Sequence, residues 1–270
     1  MLRTKLYLKK VIYNVISSDI INLKMIKSIM YLCLLLIYSA TFGQSKMRSI
    51  NKLISKEDPA WPLVQEWILA AKNKVEVLPV DNKQAQDALF KTQVTTRSPM
   101  GAIVYMTGGI LIDDGWIRIL GSGSERLNRS LPDWNKGKAF DDFGNLSPYL
   151  LIADDAIGGF YLLNGGGLGE DLGMVYYWAP DNLEFEQLGL TYTEFLSFCL
   201  NHDLNDFYKE LRWRDWKKDL KNLNADSMYS FYPFLWSKEG KDINKSKKTI
   251  VSVEEQYKLN AGFRKQFFGK

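Results

Sequence analysis

The scarcest side chains in these 270 residues are cysteine, present twice, and histidine, present once, and that scarcity removes several kinds of chemistry. Cys33 falls inside an N-terminal apolar run, so removal of that leader leaves Cys199 alone. An intrachain disulfide and a Cys-rich zinc site are then both excluded. A serine triad needs a base oriented by a carboxylate, but His202 sits in "LNHDLND", where a predicted helix ends. "GSGSE", Gly121 to Glu125, lacks the Gly-x-Ser-x-Gly elbow. Cys199 and His202 lie three residues apart at a helix end among apolar neighbours, which reads as a core thiol beside a capping histidine.

Long apolar runs are also missing. Ile29 to Tyr38, IMYLCLLLIY, is too short for a membrane span. Lys24 and Lys27 before it and Ser39-Ala40-Thr41-Phe42-Gly43 after it give the layout of a secretory signal peptide. The expected organisation is therefore an N-terminal extension and signal peptide over 1–43, with initiation at Met25 or Met30, then a single domain over 44–270 that is exported to the periplasm or secreted. Translation from Met47 would instead leave a cytoplasmic protein. No repeat or low-complexity linker divides the remainder.

The third scarcity is of cations. The chain's formal charge is +4, but residues 1–43 contribute six basic side chains against Asp19, so the rest is slightly acidic. A basic balance therefore gives no argument for nucleic acid. From Ala139 to Tyr208 there is no Lys or Arg at all, against twelve Asp and Glu; from Lys238 to the end, nine basic residues face four acidic ones. An acidic block precedes a basic C-terminal segment.

What is present reads as α+β, a mainly antiparallel sheet flanked by helices. Asp58-Pro59 and the spacing of Trp61, Val64, Trp67, Ile68 and Ala71 predict a helix over 59–73. A strand follows at "VEVLPV" and a helix from Asn82 to Phe90. "MGAIVYMTGGILIDDGWIRILG" reads as β-rich, with a hairpin turn at Asp114-Gly115. Strands are expected at "YLLIAD", "GGFYLLN" and "GMVYYWA". Thr191 and Glu194 fit a capping box for a helix burying Phe195, Leu196, Phe198 and Cys199. A second helix after Asn205 is marked by Phe207, Tyr208, Leu211, Trp216 and Leu220 and would leave Arg212, Arg214, Lys217 and Lys218 in solvent, with Trp213 and Trp216, three apart, packing on the sheet. The end reads as an exposed basic loop leading into a strand or helix.

The glycine run "NGGGLGEDLG" matches neither phosphate-binding pattern, and no calcium-loop spacing occurs. It reads as a flexible turn, with Gly165, Gly166 and Gly167 in one loop and Gly158 and Gly159 in another. No metal, cofactor or nucleic acid is expected. Paired carboxylates for glycoside hydrolysis are compositionally possible, but adjacent strand residues point to opposite faces, so Asp154 and Asp155 cannot line one cleft. A glycan binder would use Trp134, Trp178 and Trp213 as stacking platforms.

"DPAWPLVQEW", "GWIRILGSG", "IADDAIGGFYLLNGGG", "VYYWAPDNLEFEQLGLTYTEFL" and "FYKELRW" together resemble an uncharacterised bacterial family known only as a domain of unknown function, from about Ile50 to the end. The resemblance carries no activity. Over Leu151 to Leu200 the order of elements, with Gly158, Gly159, Trp178, Asp181 and Phe195, is similar to the SUKH superfamily, whose bacterial members commonly bind and neutralise toxin domains. That similarity implies a SUKH-like, non-enzymatic, immunity-protein-like binding domain. The acidic block agrees with a basic protein partner such as a toxin domain, met through Asp154, Asp155, Glu170, Asp171, Trp178, Asp181 and Glu184. The alternative is a cell-envelope carbohydrate-binding protein or a carboxylate-dependent glycoside hydrolase.

Overall fold

Asp113 and Asp114 have positive φ (50° and 61°) and Gly115 follows at 86°, the left-handed conformations that Asp and Gly tolerate best. The chain reverses there, and β2 (Gly109–Ile112) pairs with β3 (Ile117–Leu120) as an antiparallel hairpin. A computed structural model describes residues 47–269 apart from Asn222, so the expected signal peptide lies outside the described residues. Lys46–Lys270 forms one compact unit.

The same hairpin logic is repeated along the chain. β1 (Val75–Leu78), β2, β3, β4 (Tyr149–Asp155), β5 (Phe160–Asn164), β6 (Met174–Trp178) and β7 (Phe185–Thr191) form one sheet in sequence order. Each strand is antiparallel to the next. Residues directly opposed in such a ladder share a face. One row therefore runs Glu76, Leu111, Arg118, Asp154, Phe160, Trp178, Phe185 across all seven strands. The other face carries Ile110, Ile119, Ala153, Tyr161 and Tyr177.

Helices cover both faces, which makes the architecture α+β. The N-terminal helices are α1 (Ile50–Leu53), α2 (Trp61–Leu69), α3 (Asn82–Thr92), α4 (Pro99–Met106) and α5 (Leu131–Asn135). After the sheet come α6 (Tyr192–Asn201), α7 (Leu204–Phe207) and α8 (Trp216–Leu220), then a two-stranded sheet of β8 (Ser227–Tyr232) and β9 (Lys247–Ser252), and α9 (Val253–Phe268). Phe195 of α6 packs on Tyr161, and Tyr257 of α9 packs on Phe160 and Trp178 from the opposite side.

Several elements differ from the sequence expectation. "MGAIVYM" is helix α4: Ser98 accepts from the Gly101 amide and Pro99 opens the first turn, so a start signal overrides an apolar run that reads as strand. α2 begins at Trp61 with Ala60 at its N-cap, and Asp58 does not cap it. The expected helix after Asn205 is interrupted between α7 and α8, and there Arg212 turns inward onto Asp113 at 2.6 Å and over the Trp216 ring at 3.9 Å. β7 is an unforeseen strand. The capping box is as read: Thr191 accepts from the Glu194 amide, and Glu194 accepts from the Thr191 amide at 2.8 Å. Thr191→Ala is expected to lower stability by about 1 kcal/mol, measurable as a shift of the urea midpoint.

Candidate functional site

The strand's alternation sends Asp154 and Asp155 to opposite faces, and each meets a different set of partners. Asp154 is fully buried and accepts from Arg118 Nε at 2.6 Å and from Arg129 Nη1 at 2.5 Å. Arg129 continues to Asp226 at 2.8 Å and to the Ala225 carbonyl at 2.9 Å, and its guanidinium lies 4.8 Å from the Trp134 ring centre. Two carboxylates and two guanidiniums thus tie β3, β4 and the segment before α5 to the residue that precedes β8. Compensation is incomplete at one point: Arg118 is also buried, and its Nη1 and Nη2 have no hydrogen-bond partner among the described residues. A buried donor left unmet costs about 1–3 kcal/mol.

Asp155, on the other face, accepts from the amides of Ile157 (3.0 Å) and Gly159 (2.8 Å) and from the hydroxyls of Tyr177 (2.7 Å) and Tyr208 (3.2 Å). Tyr161 hydrogen-bonds Tyr208 and completes a buried cluster. Burial pushes the Asp155 carboxyl above its ordinary value, while the bonds from Tyr177 and the two amides pull it back. Gly159 is required by close approach: a Cβ there would stand 2.3 Å from both Asp155 Oδ2 and the Tyr177 hydroxyl.

These positions correct the expected recognition face. Asp154 and Asp155 are fully buried, because each is consumed by donors inside the fold. Trp178 is buried too, its indole donating to the Leu183 carbonyl at 3.2 Å. The others lie at the surface: Glu170 and Glu184 are exposed, and Asp171 and Asp181 are half-buried. Asp171 accepts from Tyr176 at 2.8 Å and from Gln187 of β7, and these bonds hold its carboxyl below the usual range. Glu186, on β7 itself, is exposed as well. Among the described residues β7 pairs with β6 alone and so is an edge strand; Asp171 bonds its Gln187, and Asp181 and Glu184 lie in the turn that enters it.

The glycine run forms the turn between β5 and β6. Gly165 and Gly167 both donate to the Pro148 carbonyl at 2.9 Å, and a Cβ at Gly165 would meet the Ser147 carbonyl at 2.1 Å. Gly166 donates to Asn164 Oδ1, and that same oxygen takes the Leu168 amide. The run lets backbone pass close to backbone. The loop of Gly158 is a tight turn at φ +92°.

Cys199 is fully buried, and burial drives its thiol pKa well up, the reverse of an activated nucleophile. His202 is the C-cap of α6, stacked on Phe198. Trp134 and Trp213 are buried like Trp178, so none of the three offers an exposed stacking ring. No three His, Cys, Asp or Glu residues among those described are grouped as a metal would need. Among the same residues no helix is long and apolar enough to cross a membrane.

A family profile described as protein of unknown function DUF2625 matches residues 50–256. The chain belongs to the DUF2625 family. Relatives of this DUF2625 chain include an uncharacterized protein of Haemophilus influenzae, 43% identical over 221 residues, spanning 82% of this chain and 97% of its own length. The YbfG protein of Escherichia coli, also described as uncharacterized, is 44% identical over 223 residues, or 82% and 99% of the two chains. The DUF2625 sequence offered one unused sign of its charged interior: "WIRIL" sets an arginine among isoleucines in the middle of a strand, and a cation so placed demands a buried partner. Arg129 gave no such sign.

Proposed function

We propose that this DUF2625 protein works by binding rather than by catalysis, and that it meets a basic protein partner, such as a toxin domain, along the carboxylate border of β7. The observation that carries this reading is distribution. With Asp154 and Asp155 withdrawn into the fold, ten of the twelve acidic side chains between Ala139 and Tyr208 remain at the surface, in a stretch that contains no cation of its own. Of that set Glu186 lies on the edge strand, Asp171 bonds its Gln187, and Asp181 and Glu184 stand in the turn before it, where Arg264 of α9 lies over the Phe185 ring. Opposite charge raises the encounter rate and rejects like-charged competitors. An SUKH-like, immunity-type role fits this mode of action, and export by the N-terminal leader would place the encounter in the periplasm or outside the cell.

Charge on an edge strand also prevents pairing with a second sheet, so the test must separate recognition from protection. Residues 44–270 and a Glu170→Lys, Glu184→Lys, Glu186→Lys copy are used as bait in extracts of the native organism. A partner held by the first and lost by the second is expected, with association slowed about tenfold or more at low salt. Equal retention of every captured protein by both baits would refute the reading.

A further inference from the structure

The incompletely partnered Arg118 opens a second question, at the other end of the strand order from β7. Between the β2–β3 hairpin and the segment following α8 lies a cavity of about 220 Å³. Arg118 lines it, as do its neighbours in the cross-sheet row, Leu111 and Glu76. Four cations, Lys74, Arg118, Arg126 and Lys221, stand around it against Glu76 and Asp114, a surplus of two positive charges. Lys74 pairs with Asp114, and Arg126 with Glu76. Arg118 is balanced in turn by Asp154 behind it, so the surplus that remains is on Lys221, which is exposed at the rim.

We propose that this cavity is a binding site for a small organic oxyanion, a carboxylate or a phosphate monoester, held by the terminal nitrogens of Arg118. Asp154 engages only Nε of this buried side chain, so Nη1 and Nη2, both without a hydrogen-bond partner among the described residues, keep the fork that two oxygens of one anion can fill. Asp154 fixes the fork from behind, and Arg129 and Asp226 fix Asp154. Leu111, Leu220 and Ala225 supply apolar wall, which suits a short carbon body attached to the anion. The volume lies below the roughly 300 Å³ at which pockets for drug-sized ligands begin, so the ligand is a small one. The site is independent of the acidic border of β7, and neither proposal needs the other.

The test titrates the full chain with inorganic phosphate and, separately, with glutarate, by calorimetry and by thermal shift, at ionic strength held constant with sodium chloride. Saturable binding of at least one probe is expected, and the tighter of the two tells phosphate from carboxylate. Arg118→Lys keeps the charge but loses the fork and should weaken binding about tenfold or more. Lys221→Glu, at an exposed position, and Leu223→Trp, which fills the mouth, should each weaken it while the protein stays folded; these two decide the matter if the Arg118 variant does not fold. Saturation by neither probe, or unchanged affinity in both Lys221→Glu and Leu223→Trp, overturns the proposal.

Discussion

Asp154→Ala is expected to destabilise the protein by about 3–5 kcal/mol, read as a large fall in the urea midpoint, because it strips the carboxylate from between the buried Arg118 and the mostly buried Arg129. Arg118 and Arg129 both bond it, and the Arg118 side chain has no other hydrogen-bond partner among the described residues. The magnitude comes from the cations left behind rather than from the attraction lost. A double variant therefore gives the sharper comparison: Asp154→Leu with Arg118→Met removes charge from both sides of the pair and should be less harmful than Asp154→Ala alone, although Arg129 still keeps Asp226. A double variant as damaged as the sum of its parts would show that the two residues act separately.

Asp155→Ala should cost a similar amount, about 3–5 kcal/mol, since two hydroxyls and two amides lose their common acceptor inside the core. Asp155→Asn keeps an acceptor for the amides and isolates the charge. Burial raises the native pKa of Asp155 above its ordinary 3.8, so the folded state holds this proton more tightly than the unfolded chain. Its contribution to stability is accordingly present in full at low pH and is lost as pH climbs from 3.8 through the raised value. The Asn variant has no such loss. Its stability relative to the native protein should improve as pH rises across that interval and then level off. A relative loss over the same interval would mean that the tyrosines and amides hold the carboxylate more firmly than burial opposes it.

Much of this organisation can be read from the residues, and the exceptions have physical causes. Short apolar and aromatic runs punctuated by Gly, Asn and Pro made β4, β5 and β6 visible, Asp-Gly marked the β2–β3 turn, and the Thr191–Glu194 box marked α6, because each is a local signal. α4 was obscured because its sides are buried nearly all round, from Met100 through Val104, and an apolar run without alternation fits strand and helix alike. β7 was obscured for the opposite reason: as an edge strand it carries little apolar periodicity. The candidate site was legible in composition but not in depth. Asp154, Asp155 and Trp178 belong to the acidic and aromatic block that the sequence displays, yet their burial depends on Arg118, Arg129, Tyr177 and Tyr208. Arg118 and Arg129 lie 36 and 25 residues from Asp154 along the chain. No window of sequence brings such partners together.

The order of strands in the large sheet bears on how the chain reaches its folded form. With every neighbour in space also the neighbour in sequence, pairing can advance from β1 to β7 as polypeptide emerges, through short loops from β2 to β3 and from β4 to β7 and through longer helical connections from β1 to β2 and from β3 to β4. The arginine of β3 is placed early in that progression, whereas Asp226, which steadies Arg129, comes from the last third of the chain. Until that late segment docks, the nascent sheet holds a half-neutralised cationic seam with one side bare of α9. A ribosome-bound or translocating intermediate would thus be the form most exposed to proteases and chaperones, and the C-terminal helix is the part that ends that exposure.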